Sequence, residues 1–233
     1  MSLFDFLKGR THSAEARSKM KRDFDAHHAL EKGTTLERLF GRSMSDLRAL
    51  FNSGDSSSTM PSITSPSYPA IQWQGDAGID AYLHWQNIEI DQFPLYLNAV
   101  RDLMHESETV WMQFSDGKHH ALVRYSDELA GRNVHILSND ARLIERLALP
   151  RFSPPPPWIF HYEHGPFLSY NQGAPEYWFL HIWLPFWLSL SLEDQSRYLA
   201  QQRERTKSYI TEEEWADWVY AVKGKDPRTR ESR

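Results

Sequence analysis

Residues 158–188 read WIFHYEHGPFLSYNQGAPEYWFLHIWLPFWL and hold eleven of the chain's thirty-one aromatic residues. Read as strand, Tyr177 to Leu184 presents Tyr177, Phe179, His181 and Trp183 on one side. Trp178, Leu180, Ile182 and Leu184 then fall on the other. Both sides are apolar, the pattern of a central strand covered on both faces. The stretch is therefore expected to form two long strands joined by a Gly/Pro/Asn turn. Nine tryptophans exceed what one core of this size needs, and Trp and Tyr are enriched at interfaces. Trp158, Tyr162, Tyr177, Trp183 and Trp187 are accordingly the expected binding residues.

Working outward, Pro154 to Pro157 force an extended entry into this stretch. Upstream, Asp116-Gly117 supplies a hairpin turn between Val110–Phe114 and Ala121–Tyr125, and Asn133 to Leu137 makes a third strand. Short helices are expected around Ile79–Trp85, after Asp91 with Pro94 in the first turn, and after Asp140. Downstream, Ser191 with Asp194 and Thr211 with Glu214 read as the starts of two closing helices. The tail KGKDPRTRESR is charged and expected to fray.

Toward the N-terminus, Asn52 to Pro69 is rich in Ser, Thr and Pro and reads as a flexible linker. Before it, Gly33 is expected to stop one helix, Thr34 to Glu37 to open a second, and Ser43 to start a third. The stretch ALEKGTTLERLFGRSMSDLRALF (29–51) resembles the opening helices of the tetratricopeptide chaperones of type III secretion over some twenty residues. No 34-residue repeat follows, so a small helical appendage is the reading kept.

The absence of cysteine excludes disulfides, thiolate zinc sites and a cysteine nucleophile. Residues 1–50 carry a net charge of +3, residues 51–200 of −9 and residues 201–233 of +1. An acidic body repels a phosphate backbone and attracts a basic partner, so no nucleic acid is expected. Tyr177 to Leu192 is shorter than the roughly 20 residues that span a bilayer. His181 and Pro185 interrupt it, so membrane association is not expected. The N-terminus lacks a secretory pattern, leaving the cytoplasm as the expected compartment.

Four residues invite chemistry: His161, Glu163, His164 and His181. On a strand His161 and His164 would face opposite ways, which argues against a shared metal. His119-His120, just after a turn, carries no catalytic expectation. Glu163 and Glu176 flank the Gly165–Pro175 connection, so an acid/base pair acting on a glycan or other polar polymer is the alternative reading. No phosphate-binding loop or nucleophile elbow is present. No catalytic residue, metal or cofactor is expected.

These readings combine into an α+β protein with an antiparallel sheet of about five strands packed by helices. The expected division is a helical segment 1–51, a linker 52–69, a main domain 70–222 and a tail 223–233. The expected function is a non-enzymatic cytoplasmic protein-binding module. An immunity protein or secretion adaptor fits, binding a basic partner through an acidic, aromatic-rich surface.

Overall fold

Period-two alternation builds one six-stranded antiparallel sheet in the computed structural model, which describes residues 30–52, 68–148, 151–167 and 172–229. The strands are β1 (Ala70–Trp73), β2 (Tyr82–Ile88), β3 (His105–Glu106), β4 (Gln113–Ser115), β5 (His120–Glu128) and β6 (Gly131–Ser138), in spatial order β1-β2-β6-β5-β4-β3. Helices pack the sheet, so the α+β architecture is as the sequence indicates. Most of the expected linker, 53–67, lies outside the described residues.

Two compact units separate along the chain. The first joins the described helices α1 (30–40) and α2 (Met44–Phe51) to the segment Trp73–Ala81. Helix α1 runs through Gly33, which does not stop it; the stop is Gly41, at φ 62°, a conformation glycine adopts without a Cβ clash. Ser43 caps α2, its Oγ accepting from the Asp46 amide. Leu36, Phe40, Leu47, Phe51 and Ile79 are buried in this unit.

The second unit holds most of the sheet. The β2–β6 and β5–β6 registers put His84, Gln86, Ile136, Val134, Val123 and Tyr125 on one face. Helix α3 (Phe93–Arg101) lies there, with Phe93 against Tyr125 and Tyr96 bonded to His84. Helix α4 (Ala141–Ala148) packs on α3, β2 and β6. The expected helix over Ile79–Trp85 is instead largely β2. Tyr82, Leu83 and Trp85 suit either period, and seven-residue pairing with β6 decides for strand.

The stretch 158–188, expected as two long strands, forms no strand among its described residues. It folds as α5 (Pro157–Phe160), a 3₁₀ turn at Tyr162–His164, then α6 (Gly173–Trp178), a π-turn (Phe179–Trp183) and α7 (Leu184–Ser189) in succession. A continuous apolar run does not distinguish a buried strand from a buried helix. Helices α8 (Leu192–Thr206) and α9 (Glu212–Lys223) enclose it. Trp158, Trp178, Trp183 and Trp187 are fully buried, clustered with Tyr198, Trp215 and Trp218. Each ring removes about 150–250 Å² from water, so these side chains dominate the helical core. Trp85 on the second sheet face meets Tyr68 edge-on and joins the same cluster.

Tyr68 closes the expected linker and is buried; its Oη donates to the Asn87 carbonyl at 2.5 Å and accepts from the Asn87 amide at 2.9 Å. Residues 224–229 are held rather than frayed. Asp226 is buried, accepts from Arg228 and from Gln195 Nε2 at 2.7 Å, and Arg228 holds its carboxyl down at about 2.

Candidate functional site

Burial sorts the five expected binding residues into two groups. Trp158, Trp183 and Trp187 have no exposed surface and cannot touch a partner of the folded chain, which corrects their assignment to an interface. Tyr162 and Tyr177 are 46% and 49% exposed. Tyr177 leans on His181, ring centroids 4.9 Å apart, on the outer side of the α6–α7 segment. Phe167 and Tyr220, both exposed, meet at 6.4 Å on the same helical part of the molecule.

A second group of surface aromatics sits on the sheet. Arg132, the second residue of β6, donates through Nε and Nη2 to the two oxygens of Asp127, at 2.6 and 2.8 Å. The Arg132 hydrogen bond holds the Asp127 carboxyl below the ordinary carboxylate range. The same guanidinium lies over Tyr125 at 4.3 Å and over Phe93 at 4.6 Å. Trp111, 62% exposed, meets the Tyr125 ring edge-on at 5.9 Å.

The backbone fixes Trp111 in this place. Met112 takes φ 57°, a left-handed conformation costing a residue with a Cβ roughly 1–2 kcal/mol. Met112 is buried and Trp111 faces out, on the opposite sides that period-two alternation also gives them. The Met112 carbonyl accepts from the Val123 amide, and Ser107 Oγ accepts from the amides of Thr109 and Val110. The sequence predicts a hairpin strand from Val110, but β4 begins only at Gln113. Alternation sets Trp111 opposite Met112 and Phe114, and burial bears this out, but it does not mark the left-handed backbone at Met112.

One group of possible metal ligands assembles among the described residues: Asp116, His119 and Asp140. His119 Nδ1 lies 2.9 Å from Asp116 Oδ2. Burial pushes the Asp116 carboxyl up, but hydrogen bonds from the His119 side chain and from the His119 and Lys118 amides bring it well below its usual value. Arg142 Nη2 stands 3.0 Å from Asp140 and 3.8 Å from Asp116. A metal ion here would displace a cation already paired with both carboxylates, so the cluster is an ion-pair network closing the β4–β5 turn.

The remaining candidates fall elsewhere. His161 and His164 share the 3₁₀ region, rings 6.0 Å apart, so the strand argument against them does not apply. His161 packs on Phe160 and Trp178, and burial pushes its imidazole down to about 4. Glu163 is exposed on that turn and Glu176 is half-buried in α6. In the first unit a cleft of about 600 Å³ is lined by α1, α2 and the turn Gly75–Gly78, with Lys32 and Asp76 paired at 2.9 Å. No helix among the described residues is long and apolar enough to cross a membrane.

Comparison with protein-family models, with characterised proteins and with solved structures returned no match.

Proposed function

We propose that this chain is a non-enzymatic, cytoplasmic protein-binding module that uses fixed surface aromatics on an acidic body to hold a basic partner. The observation that supports this most directly is the Trp111–Tyr125–Arg132 group, in which a tryptophan and a tyrosine stay at the surface on a constrained backbone. Trp, Tyr and Arg are the residues that most often carry binding energy at interfaces. Holding them in place before contact lowers the ordering cost of association. Tyr162 and Tyr177 are further exposed aromatics, on the helical part of the molecule. The charge of −9 over residues 51–200 favours a basic partner. An immunity protein or a secretion adaptor works in this manner.

The test is capture on the immobilised full chain from the cells that make it, followed by reconstitution with the purified captured protein. One dominant basic protein that rebinds at micromolar concentration is the expected result. A chain that stays monomeric and retains nothing at that concentration overturns the reading.

A further inference from the structure

Resting on that protein-binding reading, we propose that Trp111, braced edge-on by Tyr125, forms the docking point for an arginine-bearing segment of the partner. The molecule already contains the interaction in miniature. The Arg132 guanidinium stacks on Tyr125 and is forked by Asp127, the arrangement a planar guanidinium forms with an aromatic face and a carboxylate. Trp111 continues the aromatic surface outward. Its ring offers the largest quadrupole of any side chain, and among the described residues no cation lies over it. The same loop supplies an acceptor, because Glu108 is exposed three residues before Trp111.

Charge selects arginine over an apolar anchor. Asp127 and Arg132 neutralise each other, and the exposed Glu108 adds a carboxylate on a stretch, residues 51–200, of net charge −9. A guanidinium can stack on an aromatic ring and pair with a carboxylate, which an aliphatic side chain cannot do. The αL backbone at Met112 fits the same purpose, since strain of this kind persists where surrounding structure holds it. Burial of the Met112 side chain and the Val123 hydrogen bond hold it here.

The test uses the full chain and a short glycine-spaced arginine peptide, with the matching glutamate peptide as control. Binding is followed by the indole N–H resonances, Trp111 being assigned by Trp111→Phe. The expected result is a saturable shift of the Trp111 resonance with the arginine peptide alone, with Trp158 unmoved. Trp111→Ala should weaken binding about fivefold or more, and Glu108→Gln should weaken it less. Trp111 is mostly exposed, so its truncation leaves the core and the thermal unfolding curve intact. An equal response to both peptides, or arginine-peptide binding unaffected by Trp111→Ala, overturns the proposal. If Tyr177→Ala abolishes binding instead, the binding-module reading survives and this location falls. If neither peptide binds and nothing is captured from cells, both fall.

Discussion

Trp178 and Trp183 lie five residues apart in one continuous helical segment, yet their rings stack 6.1 Å apart with planes within 12°. In a regular α-helix five residues turn about 140° past a full revolution, which would send one ring to solvent. The π-turn at Phe179–Trp183 absorbs the extra residue and returns Trp183 to the buried side. Trp187, four residues on, stacks in turn on Trp183 at 6.0 Å. Pro185 follows the π-turn, where the hydrogen-bond ladder is already offset and a missing donor costs least.

Deleting Leu180, an exposed residue of the π-turn, should convert that turn to regular α-helix and leave Trp178 and Trp183 four residues apart. The expected outcome is cooperative urea unfolding with the near-ultraviolet tryptophan signal kept. Deleting Leu199 from α8 is the contrast, because every following residue of that helix rotates by about 100°, and the buried Gln202 and Thr206 leave their places. Loss of the signal in the first variant and not the second would refute this account.

Arg205 forks Glu89 at 2.9 and 2.7 Å, and Glu89 also accepts from Ser153 and Gln92. Glu89 is buried while Arg205 is half-exposed. Arg205→Ala leaves a carboxylate in the interior, and its cost should be about 2 kcal/mol. That lies below the roughly 3–5 kcal/mol of a fully buried pair because water reaches the site. Denaturant titration of Arg205→Ala against Arg205→Ala/Glu89→Gln checks it, the double variant recovering part of the loss.

Acid should destabilise the protein well above the carboxylate range. Burial pushes His84 down to about 3 and His135 to about 4, alongside His161 at about 4. In the unfolded chain these groups titrate near 6.5. Below that pH the unfolded state binds protons that the folded state refuses, so stability is full above about 6.5 and falls as pH drops toward the folded values. Each histidine contributes a slope of about 1.4 kcal/mol per pH unit within its window. Unfolding free energies at pH 7, 6 and 5 measure this, and His84→Leu should flatten the curve. An unchanged slope in that variant would remove His84 from the explanation.

Thr211 and Glu214 form a reciprocal capping box at the start of α9, with Thr211 Oγ1 accepting from the Glu214 amide at 3.3 Å and Glu214 Oε2 from the Thr211 amide at 2.9 Å. Thr211→Ala should cost about 1 kcal/mol, and Thr211→Ser should restore most of it. Thermal unfolding of the three proteins compares them.

The sequence by itself determined the elements whose signals are local. Ser191 and Thr211 cap α8 and α9, Asp116-Gly117 turns β4 into β5, and Pro94 sits in the first turn of α3, because each depends only on its immediate neighbours. Tertiary structure decided the rest. The run from Tyr177 to Leu188 is apolar at nearly every position, so no period in it separates strand from helix. Enclosure by α8 and α9 makes it a helix, and with that Trp158, Trp183 and Trp187 pass from candidate interface to core. Strand pairing with β6 likewise settled Tyr82 to Ile88. Alternation sets Trp111 opposite the buried Met112 and Phe114, whereas the exposure of Tyr125, on the face of the buried Val123, came only with the tertiary structure. The left-handed residue at Met112 is likewise held by the packing and hydrogen bonding around it, and nothing in the order of residues marks where it will be.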